Sequence, residues 1–439
     1  MGYQYELTRF SINFKLSQVN PNVLRRAKII ILDSLTAIIA GNQTDQLSRL
    51  HNEIMKTSSY LSEQVSSVYG TNIKLSSYVA AMINGIAMVT EEMDEGNPIA
   101  KGHPACHFIP SLLTYSEQNK VSGYRFLESF IVGYEIGVRA GASINLKENI
   151  HPHGNWGLIG SGFAIGKLHN FTEIEYKRGL SLCGSLPNIT LWKSVIEGHR
   201  IRDVFIGLNN MYSCIVPSLV RAGFSGSPSS IEEIYGNGIL GEKFSQEKIV
   251  EGLGKTFSLM NTYFKFYPFC RFCHSPIDGI LKVLRNEKFS PQSIEKINVY
   301  TYSLAAKLSN QEVNNEYAGK FSIPYAISSM FFNESKHEEI LGFAKKVFVF
   351  EDDELTKLLP YKRNSRLEVM TKDNKKLIVE VEGARGDAHE EDLEEKVIQK
   401  CSRLLETVIG PSKTAVFINQ IMDLESVQDM RPVIQLLNS

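Results

Sequence analysis

The chain has 439 residues, enough for two or three domains and a large buried core. It is 43% hydrophobic and 22% charged, with 47 Lys+Arg against 48 Asp+Glu and a net charge of −1. That balance is ordinary for a soluble globular protein and argues against nonspecific binding to nucleic acid or an anionic membrane. The six cysteines are scattered, the N-terminus lacks a basic stretch followed by an apolar run, and no apolar stretch approaches about 18 residues. Free thiols, a cytoplasmic location, no signal peptide and no membrane span are therefore expected.

The first 260 or so positions read as helices. Residues 26–41 carry Ile29, Ile30, Leu32, Leu35, Ile38 and Ile39 and stop at Gly41; the broad apolar spacing predicts burial around most of the helix. Residues 77–90 repeat the style with Val79, Ala80, Ala81, Ile83, Ile86 and Ala87, and residues 124–142 with Phe126, Leu127, Phe130, Ile131, Tyr134 and Val138. Gly160, Gly162, Ala164 and Gly166 predict a helix packed closely on a neighbour, since close packing must offset glycine's cost of up to about 1 kcal/mol in a helix. Residues 209–222 predict a further helix, interrupted at Pro217.

The pattern changes after about residue 290. Ile297, Val299 and Thr301 alternate on one side of a strand over 294–302, and 346–350 predicts a second. Residues 366–370 and 376–381 flank Lys372-Asp373-Asn374, a hairpin signal. Residues 392–405 return to helix, with Val397, Ile398, Cys401 and Leu405 on one face, and 383–394 reads as the best exposed loop. The expected fold is mainly α: a large all-helical domain over 1–265, rejoined by C-terminal helices at about 392–439, plus a smaller α+β lid domain over 266–391.

Several segments carry side chains suited to chemistry. His151-Pro152-His153-Gly154-Asn155-Trp156-Gly157-Leu158-Ile159-Gly160 gathers two imidazoles, an indole and three glycines. Imidazoles titrate near neutral pH and suit proton transfer; the plain alternative is a tight turn with a solvated histidine. Glu91-Glu92-Met93-Asp94-Glu95 is followed by His103-Pro104 and His107. Acids beside histidines orient an imidazole, act as general acid or base, or bind a hard metal; the alternative is a solvated helix end. Arg202, next to Asp203, offers a guanidinium for a substrate carboxylate, or else forms a surface ion pair. Lys265-Phe266-Tyr267-Pro268 leads into Cys270, Cys273 and His274. A structural zinc needs four ligands and no second Cys/His pair lies at a fitting spacing, so no metal is expected. The glycines match neither a Rossmann nor a P-loop pattern, and no G-x-S-x-G is present, so neither a nucleotide cofactor nor a serine hydrolase is expected.

Taken in order, these segments resemble the MmgE/PrpD family. Leu32-Asp33-Ser34 with Ala40-Gly41 is similar to LD[ST]…AG, and Ala80-Ala81-Met82-Ile83-Asn84-Gly85 to AAxxNG. Glu92-Met93-Asp94-Glu95 looks like the acidic D-x-D-D, followed by HP at His103-Pro104, and Gly133-Tyr134-Glu135 fits GYE. His151 to Gly157 resembles HPTxxxG, and Gly223-Phe224-Ser225-Gly226 resembles GFTG. Lys265 to Asp278 looks like KxYPxxxxxHxxID, and Phe321 to Tyr325 like FSxxY.

The resemblance implies a helical domain with a smaller α+β domain, a homodimer, and a site that uses no metal or organic cofactor. It implies a lyase acting on a small di- or tricarboxylic acid: dehydration of the 2-methylcitrate type first, with decarboxylation of cis-aconitate or epimerisation of iminodisuccinate as alternatives. A non-catalytic family member is the reading from another class. Carried over residue by residue, Asp94, His103, His151 and Tyr325 would be catalytic, and Lys265, Arg202 and His274 would bind substrate. The chain departs from the pattern at Arg202 (lysine in the family), Phe205 (histidine), Glu92 and Glu95 (aspartates), His153 (threonine) and Asn209-Asn210 (small residues). Arginine stays protonated at any working pH, so Arg202 is a cation and not a base.

Overall fold

Asn20 caps a long helix, Pro21–Asn42, by accepting the Asn22 N–H, and Pro21 stands at the first helical position where its missing N–H costs nothing. Ile29 to Leu32, Leu35, Ile38 and Ile39 are all at most 1% exposed, so this helix is buried around nearly its whole circumference. The computed structural model describes residues 2–58, 65–286, 290–332 and 336–438. The chain divides into two units. The first comprises Met1–Leu191, Ile201–Phe264 and Glu391–Ser439; the second comprises Trp192–Arg200 and Lys265–Glu390. The architecture is mainly α with a smaller α+β part, as the periodicities predict.

In the first unit, the helix Ser77–Thr90 packs between Pro21–Asn42 and Ile201–Arg221. Gly123–Ser143 crosses Gly157–Leu168 at very short range: a Cβ on Gly160 would lie 2.6 Å from the Gly133 carbonyl oxygen. The small residues there are what let the two backbones meet. Leu393–Ile409 packs on Pro21–Asn42, where Lys400 forms a buried ion pair with Asp33. No helix among the described residues is long and apolar enough to cross a membrane.

Two elements differ from the sequence expectation. The helix expected from residue 209 begins at Ile201 and runs through Pro217. Its polar first turn looks like surface, yet Arg202 and Asp203 are each 1% exposed, and burial of Val216 and Val220 holds the turn around the proline. The stretch at 383–394, expected to be exposed, is tied down in part: Ala384 and Gly386 are buried, and Arg271 donates to the carbonyls of Ala384 and Arg385.

The second unit is built on a four-stranded sheet in the order Val347–Glu351, Ile294–Thr301, Ser365–Thr371, Lys376–Val381. The first pair is parallel, with Ile297 opposite Val347, and the other two are antiparallel. The helix His274–Asn286 covers one face, and Ile277 and Ile280 share a core with Ile297, Val299, Leu367 and Val369. The segment Trp192–Arg200 joins this unit because Val195, 0% exposed, enters its core and Trp192 stacks on Phe272.

Candidate functional site

After the helix Ser77–Thr90 the chain turns through Glu92, which takes a left-handed φ of 56°, and carries three acids inward. Glu92, Asp94 and Glu95 are each at most 1% exposed, which rules out the solvated helix end. Lys400 also donates to the Met93 carbonyl, so the C-terminal helix props this turn. Glu95 accepts from the Tyr134 hydroxyl at 2.6 Å and from the Ala105 N–H at 3.0 Å. Burial pushes its carboxyl up to about 8 in spite of those two hydrogen bonds, so it holds a proton at neutral pH.

Asp94 faces His103: its Oδ2 lies 2.9 Å from Nδ1, and the Glu95 carbonyl oxygen lies 2.5 Å from the same nitrogen. Both neighbours are acceptors, so Nδ1 carries the proton and Nε2 presents a lone pair. His103 is 9% exposed and Asp94 0%. An imidazole oriented by a carboxylate, with a free basic nitrogen, is the arrangement of a general base.

His151 has the opposite tautomer. Its Nδ1 accepts the His153 backbone N–H at 3.2 Å, so in the neutral ring Nε2 bears the proton. Its loop is stitched to the segment ahead of Leu191: the His151 N–H donates to Thr190 O at 2.9 Å, and the Thr190 hydroxyl to His153 O at 2.8 Å. His153 sits between the two, with ring centroids 4.7 Å from both His103 and His151, each edge to face. It is 1% exposed, and burial together with the Arg202 charge and its imidazole neighbours holds it well below the usual histidine range.

A fourth imidazole, His107, completes the cluster 6.1 Å from His153 and is 0% exposed. A backbone carbonyl sets its tautomer at the end of a chain of amides. Gly154 O accepts from Asn188 Nδ2; Asn188 Nδ2 also donates to Asn209 Oδ1 at 2.9 Å; Asn209 Nδ2 then donates to His107 Nδ1 at 2.8 Å. The His107 proton therefore resides on Nε2, and burial pushes the ring down to about 3, so it stays neutral. A Cβ on Gly157 would lie 2.2 Å from the His107 ring, which is why a glycine opens that helix.

Arg202, expected to clamp a substrate carboxylate, is met by carboxylates of the chain itself. Its guanidinium pairs with Glu92, with Asp203 at 3.0 Å, and donates to Val89 O at 2.8 Å. The pair lies inside the protein and not on its surface, and Arg202 anchors the end of the helix that leads into the acidic turn.

The other predicted residues belong to the second unit. Lys265 is 0% exposed. His274 has both ring nitrogens engaged: Nε2 with Phe269 O at 3.1 Å and Nδ1 with Arg271 at 3.2 Å. Tyr325 is positioned by a helix whose cap, Ser322 Oγ, accepts the Tyr325 N–H at 3.1 Å, and its hydroxyl lies 3.1 Å from His337 Nδ1. The first unit thus gathers Asp94, His103, His151 and Arg202 around one cluster. His107, noted beside the acidic run but assigned no role of its own, lies four residues past His103 and joins the cluster; His337 had no sequence signal at all.

Comparison with known proteins matches residues 5–242 to the MmgE/PrpD N-terminal domain and residues 267–426 to the MmgE/PrpD C-terminal domain. A cis-aconitate decarboxylase of Aspergillus terreus is 22% identical, over 100% of this chain and 96% of that protein. A cis-aconitate decarboxylase-like protein, oryM, of Aspergillus oryzae is 25% identical over 68% of this chain and 66% of its own length. The cis-aconitate decarboxylase of Homo sapiens is 28% identical over 39% of this chain and 37% of that protein.

Proposed function

Because the chain belongs to the MmgE/PrpD family, we propose that it is a cofactor-independent lyase that moves a proton beside a carboxylate of a small di- or tricarboxylic acid. The observation that carries this is the buried cluster itself: His103, oriented by the Asp94 carboxylate, lies with His153 and His151 in one group.

In dehydration or epimerisation His103 takes the proton from the carbon next to a carboxylate, and charge spreads onto that carboxylate. Cations stabilise such charge, and Lys265 is the proposed donor of that stabilisation. Tyr325 hydrogen-bonds a substrate carboxylate. His151 is the proposed proton source for the departing hydroxyl in dehydration; in decarboxylation no C–H proton is removed, carbon dioxide leaves, and His151 protonates the resulting carbanion. Arg202 and His274, engaged within the chain, support the site through the groups they hold.

The cis-aconitate decarboxylases among the relatives bring decarboxylation of cis-aconitate first to the bench. Dehydration of a hydroxy acid such as 2-methylcitrate is the second reading, favoured by the neutral His153 at the centre of the cluster. The test is proton NMR of the purified protein in deuterated water with cis-aconitate, 2-methylcitrate, citrate and an iminodisuccinate source. Conversion of cis-aconitate with deuterium incorporation supports decarboxylation. Growth of an alkene from 2-methylcitrate supports dehydration, and exchange without net conversion supports epimerisation. Silence with every acid would overturn the lyase reading.

A further inference from the structure

Three buried imidazole nitrogens of the first unit lack a hydrogen-bond partner among the described residues: Nδ1 and Nε2 of His153, and Nε2 of His107. Buried polar atoms in native proteins are rarely left so, because each forgoes the hydrogen bonds it would make with water. All three belong to rings in the candidate site, and His153 is the ring lying against both His103 and His151. His153 also stands where the resembling family has threonine, and Asn209, which orients His107, stands where that family has a small residue.

Both rings are neutral. Burial, with the Arg202 charge beside it, keeps the proton count of His153 at one, and burial does the same for His107. A neutral imidazole has one N–H and one lone pair. His107 spends its lone pair on Asn209 and keeps its N–H. The unmet set is therefore two N–H donors and one acceptor nitrogen. An ionised carboxylate has acceptors only, so it satisfies the donors and leaves the nitrogen lone pair unmet. A hydroxyl or N–H group carried beside a carboxylate satisfies both kinds.

We propose that His153 is a specificity-determining residue that reads a hydroxyl or N–H group carried beside a carboxylate of the substrate, with His107, held by Asn209, as the second donor. The proposal rests on the reading of the histidine cluster as a polycarboxylate site and, within that reading, favours hydroxy-, amino- or imino-polycarboxylates over cis-aconitate.

The test is calorimetric binding to the full-length protein of citrate and of propane-1,2,3-tricarboxylate, which has the same three carboxylates and no hydroxyl. Citrate should bind about tenfold more tightly, the fold-change of one hydrogen bond made against one lost. His153→Leu should bring citrate to the affinity of the analogue, and His153→Gln, which keeps a donor and an acceptor, should restore part of the difference. Equal affinities in the wild type would overturn the role of His153 and leave the polycarboxylate reading standing. A preference that survives in His153→Leu would do the same. Binding of neither acid would overturn the polycarboxylate reading and this proposal with it. The wild-type comparison needs no variant, so it decides the matter even where His153→Leu fails to fold.

Discussion

The two units use buried histidine in opposite ways. In the second unit His274 donates to Phe269 O and accepts from Arg271, while Arg271 in turn holds Ala384 O, Arg385 O and Asp387. Asp278 joins the same arrangement, accepting from Tyr267 and from the Arg385 N–H, both at 2.6 Å. Histidine there is mortar between a helix start and a loop. In the first unit four imidazoles lie together; three are oriented from one side, by Asp94, by a backbone N–H and by Asn209, while both nitrogens of His153 and Nε2 of His107 have no hydrogen-bond partner among the described residues. Counting histidines does not separate the two cases; asking where each ring nitrogen's hydrogen bond goes does.

The contrast makes graded predictions. If His103 and His151 are the acid and base, His103→Ala and His151→Ala should each lower turnover by about 10²–10⁴-fold while far-UV circular dichroism stays unchanged. Activity within about twofold of wild type in both would place the first unit's histidines with the second unit's. Next in size is the buried Arg202. Arg202→Met leaves Glu92 and Asp203 without their guanidinium and should destabilise the protein by about 3–5 kcal/mol, read from urea unfolding. A loss below about 1 kcal/mol would show that the ion pair is not what anchors the acidic turn.

In the second unit Arg271→Leu should cost about 1–3 kcal/mol and open residues 383–390 to limited proteolysis, because the carbonyls of Ala384 and Arg385 lose their donor. Unchanged cleavage there would refute the mortar role. The last prediction concerns pH and is read as a slope. The Glu95 carboxyl rises from an ordinary 4.5 to about 8 in the folded chain. Below the lower value both folded and unfolded chains hold the proton; between the two only the folded chain does. Unfolding then releases a proton, so stability falls as pH rises through this window, by about 1.4 kcal/mol per unit. Glu95→Gln should flatten that slope relative to wild type, and parallel stability profiles for the two proteins between pH 5 and pH 8 would disprove the buried proton.

Much of the fold is legible in the chain. The bounds predicted for the helix Ser77–Thr90 and the strand Lys376–Val381 coincide with those observed, because their apolar periodicities are unbroken and their neighbours interrupt them. The motif order also marked Asp94, His103 and His151 as neighbours. Periodicity reports which face of an element is apolar, and motif spacing reports which side chains share a turn.

Neither reports where a polar atom finds its partner. Arg202 looks like a surface cation until the three-dimensional arrangement surrounds it with Glu92, Asp203 and Val89 O. His107 became a site residue only when Asn209, 102 positions away, reached its Nδ1. Trp192–Arg200 leaves the helices on either side of it because Val195 and Trp192 find their apolar neighbours in the second unit's core. Local sequence sets backbone preference and amphipathic faces. Burial, tautomer and the pairing of charges are long-range quantities, decided by which distant atoms the folded chain brings within about 3 Å.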